Sequence, residues 1–453
     1  MALTTLVSPP LPSVERRPVL PAGFVAGGTT AGIKASGRPD VALILATGGP
    51  AAAAAVFTPN AFAAAPVKQS RANLAATSDD RRGGFGFASA VVSTSGCANA
   101  ATGSAGDADQ EAVGRLVAGA CGIDEQHVLH LSTGIIGTRL PLDRVEVGIG
   151  DLYPALSGDE AGLEAVAEAL RTTDSDLKAA TTSLVLPAVD GEPVTVTITG
   201  IAKGVGMIHP NMATMLSVVL TDAAIAPEVL WGVLRPAAAR TWDQLSVDGD
   251  TSTNDTVFVL ASGAAANAPL AAGSHGAVAF GSALEAVARD LARQQAADGE
   301  GATILITASA TGAVDDADAR AVARAVISSS LVKAAAHGKD PNWGRIAGAA
   351  GNATTASAAV LEAAGLAPDE AAARASQPAR LDPDRLRIAI AGHAVFDGTK
   401  GGPLAFDRAA ARGAMDAPEL LIELDLGLGD GVGEAFGCDL TQEYVIENSE
   451  YTT

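Results

Sequence analysis

Residues 203–216 read Lys203-Gly204-Val205-Gly206-Met207-Ile208-His209-Pro210-Asn211-Met212-Ala213-Thr214-Met215-Leu216, and the strand-like run Met215–Leu220 begins before this stretch ends. Two glycines, a proline and an asparagine in so short a span require close turns, and the backbone N–H groups of such turns can face a ligand. A loop that merely feeds a core strand has the same composition, so local chemistry leaves both readings open.

Outward from this segment, short β-branched runs read as strands at Val41–Leu45, Ala90–Val92, Val194–Ile198, Val257–Ala261, Thr303–Thr307, Leu386–Ala391 and Leu420–Leu424. Between them, alanine-rich stretches with helical spacing fall at Asp107–Ala120, Asp159–Arg171, Pro227–Thr241, Ser282–Ala297 and Asp315–Ser328. Asp107 and Asp159 are placed to cap helix N-termini, and Gly122 to close the first helix. Strand and helix alternate through both halves, which predicts a layered α/β architecture. At roughly 100–200 residues per domain, the 453 residues suffice for two or three compact units. The first 20 or so residues, rich in proline, are expected to fray.

With 30 Lys and Arg against 51 Asp and Glu the chain carries a formal charge of −21, and no basic run exists to follow a phosphate backbone, which argues against nucleic acid. The apolar stretch from Val41 to Phe57 is broken by Gly48-Gly49-Pro50 and is too short to span a bilayer, and the N-terminus lacks the apolar core of a signal peptide. Cys97, Cys121 and Cys438 form neither a disulfide framework nor a zinc-site spacing, which fits a reducing, cytoplasmic setting. His127 and His130 have ligand spacing but no third ligand follows, so no metal is expected. Three polar islands mix glycine with hydroxyl or amide residues: Ser132–Gly137, Asp248–Asp255 and Gly338–Arg345. Each is able to form either an oxyanion-binding turn or an empty capped turn.

Taken together, the motifs resemble the ornithine acetyltransferase family, also called glutamate N-acetyltransferase or ArgJ. The likeness rests on Lys203–Leu216 and runs along most of the chain. It takes in Pro21–Phe24, Val56–Asn60, Ser132–Gly137, Thr172-Thr173-Asp174, Ser246–Val257, Glu300–Thr303, Gly338–Ile346, Gly437–Thr441 and Asn448–Thr453. In that family the bond before the threonine of Met-Ala-Thr-Met-Leu is cut autocatalytically and the new N-terminal threonine takes the acyl group. The resemblance therefore implies cleavage between Ala213 and Thr214, with Thr214 as nucleophile, and Thr133 and Gly134 as the oxyanion hole. Thr172 or Thr173, Lys203, Thr214, Glu300, Asn448 and Thr453 fall on its substrate-binding positions. The chemistry is consistent: a freed α-amine titrates near neutrality and can serve as base for its own hydroxyl, while a lysine can hold an α-carboxylate.

The fold so implied is the layered α/β sandwich of the self-processing N-terminal-nucleophile type, shared with DmpA-like aminopeptidases. Residues 1–213 would form an α chain and 214–453 a β chain, assembled as an α2β2 heterotetramer without metal or organic cofactor. The substrates implied are N2-acetylornithine and glutamate, acetyl-CoA remaining open as a second donor. The sequence departs from the family pattern at Thr94 and Cys97, where amides are usual, at His209 and Phe436, and at Ile304, where a lysine is usual. A missing lysine at 304 is expected to strengthen the pull of Glu300 on a cationic side chain and to make glutamate a poorer acceptor. A paralogue acting on a modified amino acid, an amidase or aminopeptidase on the same scaffold, and a non-catalytic binding module remain as alternatives.

Overall fold

The computed structural model describes residues 11–209 and 215–449. A four-stranded sheet, in the order Phe24–Thr29, Val41–Ala46, Ala90–Cys97 and Val128–Ile135, packs on a six-stranded one. The latter runs Phe85–Ala88, Ala51–Phe57, Thr256–Ala261, Leu216–Thr221, Pro193–Lys203 and Lys178–Pro187. Successive side chains of a strand point to opposite faces, and that alternation builds the layers. Ala42, Ile44, Ala53, Ala55, Val218 and Phe258 fill the core between the sheets. Val41 and Leu43 instead face helices Gly103–Cys121 and Leu142–Leu152. Ala52, Ala54, Val219 and Val257 face helices Pro227–Arg240 and His275–Ala297. The result is helix, sheet, sheet, helix: the layered α/β sandwich.

A second unit is built on a seven-stranded sheet, in which Leu305–Ala313 lies between Gly431–Cys438 and Glu419–Asp425. Helices Asp316–Ser328, Ser330–His337 and Trp343–Gly351 cover it. Its edge is sewn to the sandwich: Leu245 and Ser246 pair in parallel with Phe436 and Gly437, and Phe436 and Cys438 join the sandwich core. Residues on either side of position 214 share one sheet, since Pro193–Lys203 pairs antiparallel with Leu216–Thr221. A division of the chain at 213/214 therefore falls between neighbouring strands.

Local sequence accounts for most helix ends. Asp159 accepts a hydrogen bond from the Gly162 N–H at 3.2 Å, and Gly122 closes its helix at φ 67°. Asp107 is not a cap. Its helix already begins at Gly103, and Asp107 instead pairs with Lys68 at 3.2 Å. Residues 11–20 are not frayed either, because Glu15 exchanges two 2.8 Å backbone hydrogen bonds with Thr181 and Arg16 binds Asp290. The strand Ala51–Phe57 had no signature in the sequence: five alanines favour a helix by propensity, yet here both faces of the strand are buried.

Candidate active site

Eight separate stretches of the described chain converge on a cavity of about 380 Å³. Thr133 and Gly134 end the strand Val128–Ile135, whose parallel pairing with Ala90–Cys97 becomes irregular at Gly96 and Cys97. Gly134 sits at φ +126°, and a Cβ there would lie 2.4 Å from the Gly96 carbonyl carbon, so both the turn and the close approach exclude other residues. Lys203 ends the strand Pro193–Lys203 with its side chain buried, and its Nζ donates to Thr133 Oγ1 at 3.3 Å. The Thr133 hydroxyl thus has one lone pair engaged and its own proton available.

Lys203 is not the only buried charge. Asp174 lies 4.0 Å from its Nζ, accepts from Lys178 Nζ at 2.8 Å and from the Gly204 N–H at 2.7 Å, and Lys178 also donates to Asp298 at 2.5 Å. Burial by itself would raise the Asp174 carboxyl, but Lys203 and Lys178 together hold it well below the usual carboxylate range. Burial pulls Lys203 down from the ordinary lysine range, an effect that Asp174 opposes.

The same cavity is also lined by an acidic residue, Glu300. Glu300 accepts from Thr173 Oγ1 at 2.9 Å on one carboxylate oxygen and from Asn448 Nδ2 at 2.9 Å on the other. Its backbone N–H is fixed to the Val205 carbonyl at 2.8 Å. Gly206 permits the carboxylate to lie against the backbone, since a Cβ there would stand 2.2 Å from Glu300 Oε2. Gly301, at φ +64°, gives the helix Gln442–Ser449 room to come close, with Tyr444 N only 2.4 Å from where a Cβ would be. That helix carries Asn448.

The structure thus brings Thr133, Gly134, Thr172, Thr173, Lys203, Glu300 and Asn448 onto one cavity. Ala213, Thr214 and Thr453 lie outside the described residues; Met215, the next residue after Thr214, is on the cavity wall. Sequence reasoning gave no role to Ser252, Thr253, Asn254 and Asp255, which also line it. Asn254 Nδ2 donates to the carbonyls of Ala98 and Ser132 at 2.7 and 2.8 Å, tying that loop to the Thr133 strand. Asp248 accepts from the N–H groups of Met207 and Ile208 at 2.5 and 2.8 Å and so holds the Gly206 turn. The signal for these residues was the polar island 248–255 itself.

Ile304 does not belong to the site. It is 8% exposed and packs in the core of the second unit with residues such as Ile306 and Ala308, away from the cavity wall. A lysine there would bring its charge to that core, so the expectation that position 304 tunes Glu300 is withdrawn. Thr94 and Cys97 are also buried off the cavity: Thr94 bonds Ser132 Oγ at 2.8 Å and Cys97 Sγ the Thr138 carbonyl at 3.2 Å. His130 is a core histidine, bonded to Gln110 at 2.9 Å and pushed down to about 3 by burial. Among the described residues no group of three potential metal ligands occurs, and no helix is long and apolar enough to cross a membrane.

With this geometry in hand, comparison with known proteins is direct. Residues 25–453 match the model of the ArgJ family. The arginine biosynthesis bifunctional protein ArgJ of Thermus thermophilus is 42% identical over 434 residues, 96% of this chain and 99% of its own. That of Synechocystis is 40% identical over 449 residues, 97% of this chain and 98% of its own. The crystal structure of the arginine biosynthesis bifunctional protein from Bacillus halodurans is similar over 52% of this chain and 99% of its own, with 38% identity and a TM-score of 0.45.

The buried triad yields a stability prediction. Asp174→Asn strands two enclosed ammonium groups and should cost about 3–5 kcal/mol at pH 7. Because the native carboxyl titrates below its unfolded value, its contribution is present above roughly pH 4 and lost as the pH falls further. Denaturant unfolding of both proteins should therefore show a gap at pH 7 that narrows below pH 4; equal stability at pH 7 would contradict the role given to Asp174.

Proposed function

The chain belongs to the ArgJ family, and on that premise we propose that it transfers an acetyl group from N2-acetylornithine to glutamate through an acyl-threonine on Thr214, in arginine biosynthesis. The observation that carries this reading is that one small cavity is lined by Lys203, the Thr133-Gly134 turn, Glu300 and Met215 together. An ornithine derivative has the matching groups, an α-carboxylate for Lys203 and a distal ammonium for Glu300.

The first step is processing. The Thr214 hydroxyl attacks the carbonyl carbon of Ala213, the amide becomes an ester as the Thr214 nitrogen departs, and water hydrolyses that ester to leave chains 1–213 and 214–453. The shared sheet would keep the two together, and pairing of two such units gives the α2β2 assembly. The freed α-amine of Thr214, with a pKa near 8, takes the hydroxyl proton as the oxygen attacks the acetyl carbonyl. Charge then develops on the carbonyl oxygen, where the Thr133 hydroxyl and the Gly134 N–H are suited to receive it. Lys203, by donating to Thr133 Oγ1, turns the Thr133 proton away from itself and toward that oxygen. The ornithine amine leaves with the proton held by the α-amine. Glutamate enters with its α-carboxylate at Lys203, its amine attacks the acyl-threonine, and N-acetylglutamate departs. Acetyl-CoA is a second donor to be tried in place of acetylornithine. The free cysteines suit a reducing cytoplasm.

Product analysis tests the transfer. With both substrates the protein should yield ornithine and N-acetylglutamate in equal amounts, and with acetylornithine alone it should stall after a single turnover. Steady release of acetate without glutamate would make it a hydrolase, and no turnover of acetylornithine would overturn the proposal.

The Glu300 contact is testable without changing Glu300 itself. Gly206→Ala places a methyl group against Glu300 Oε2 and displaces the carboxylate at little cost to the fold. Weakening one charge-assisted contact should raise KM for acetylornithine about tenfold with a smaller change in kcat. An unchanged KM would mean that Glu300 does not hold the substrate amine.

A further inference from the structure

Thr133 and Gly134 lie near the end of an edge strand. Among the described residues, Val128–Ile135 has the strand Ala90–Cys97 on one side and no strand on the other, so its outward carbonyls need side-chain donors. Three alternate carbonyls have one: Val128 accepts from Asn73 Nδ2 at 2.7 Å, His130 from Ser70 Oγ at 3.1 Å, and Ser132 from Asn254 Nδ2 at 2.8 Å. Asn73 and Ser70 belong to one helix, Ala65–Ala76. Asn254 stands apart from them, in the loop before the strand Thr256–Ala261 of the other sheet. Its second amide proton goes to the Ala98 carbonyl at 2.7 Å, and the Ala98 N–H donates to the Ile135 carbonyl at 3.0 Å. Satisfying the strand edge would have required only the bond to Ser132.

Strand pairing does not supply this hold. The parallel register with Ala90–Cys97 is regular as far as Gly96 and shifts at Cys97, opposite Thr133 and Ile135. Gly134, at φ +126°, occupies a region that glycine enters freely, so the peptide between Thr133 and Gly134 is set by whatever fixes the residues on either side. Those residues are Ser132 and Ile135, the first bonded to Asn254 directly and the second through Ala98. Asn254 is itself buried and fixed: its Oδ1 accepts from Thr253 Oγ1 at 2.6 Å, its N–H donates to Ser252 Oγ at 3.2 Å, and its carbonyl accepts from Thr256 Oγ1 at 3.0 Å. A hydroxyl on the oxygen side and two carbonyls on the nitrogen side give the amide one orientation.

We propose that Asn254 is a positioning residue for acyl transfer: its amide holds the Ser132 and Ala98 carbonyls so that the Thr133 hydroxyl and the Gly134 N–H point together at the acyl carbonyl oxygen. The inference rests on the reading of Thr133 and Gly134 as the oxyanion donors. Both amide protons of Asn254 are engaged by backbone carbonyls, so it acts through the turn and not on the substrate.

Two substitutions separate this role from simple packing. Asn254→Asp keeps the shape of the side chain and removes both donors, whereas Thr253→Val keeps the asparagine and removes the hydroxyl that orients it. Turnover is counted per cleaved 214–453 chain, with wild type and Thr133→Ala alongside. Asn254→Asp should lower kcat for transfer from acetylornithine to glutamate roughly 10²-fold and leave KM for acetylornithine within about threefold, since a misplaced donor is missed most in the transition state. Thr253→Val should lower kcat about fivefold at the same KM, and it decides the matter if Asn254→Asp does not mature. Combined with Thr133→Ala, Thr253→Val should cost less than the product of the two single losses, because both act on one donor. If wild type transfers acetyl and Thr133→Ala slows it, then a kcat within about twofold of wild type in both variants, or single losses that simply multiply, would overturn this inference alone. An unaltered kcat in Thr133→Ala would overturn the oxyanion reading and this inference with it.

Discussion

A single buried carboxylate ties together the segments that carry Thr172 and Lys203. Asp174 receives Lys178 and the Gly204 N–H, stands beside Lys203, and accepts the Thr172 N–H at 3.1 Å. Lys178 passes the connection on to Asp298, two residues before Glu300. Lys203 is therefore tied by one chain of alternating charges, through Asp174 and Lys178, to Asp298 in the turn that leads to Glu300. Burying any member alone would cost several kcal/mol; buried as a chain, each charge is met by its neighbour. Removing Asp174 should loosen Lys203 and Lys178 at once.

Close backbone approach is the second constraint, and it falls on three glycines with different duties. Gly134 lets two parallel strands meet at the turn that carries Thr133. Gly206 leaves space for the Glu300 carboxylate, and Gly301 for the backbone of the helix that carries Asn448. None of the three partners, two of them backbone and one the Glu300 carboxylate, could sit where it does against a methyl group. The strand end at Lys203 and the strand start at Leu216 bracket the same region of one sheet, so the segment between them is anchored at both ends by backbone pairing.

Much of this was legible in the sequence because the motifs are local. The alternating strands, Asp159, Gly122 and the polar islands all state their structure within a few residues. What was not legible depends on residues distant in the chain. Ala51–Phe57 is a strand because two layers bury it, which no window of alanines can reveal. Asp107 stands inside a helix that starts earlier than its capping chemistry suggests. Ile304, four residues from Glu300 along the chain, turns into another core after the Gly301 bend, so nearness in sequence misled about nearness in space. Asn254 and Asp248 are structural partners of the site across long separations, and composition marked only the island that contains them.

The central claim is that Thr214, exposed by cleavage of its own chain, carries the acetyl group. Denaturing mass spectrometry of the purified protein after brief exposure to N2-acetylornithine alone reads this directly. The account predicts two fragments, 1–213 and 214–453, with one acetyl group added to the second and lost again when glutamate is supplied. It also predicts that Thr214→Ala gives one uncut, unacetylated chain. A wild-type chain that stays whole after prolonged incubation, or an acetyl group found on any residue other than Thr214, would contradict it.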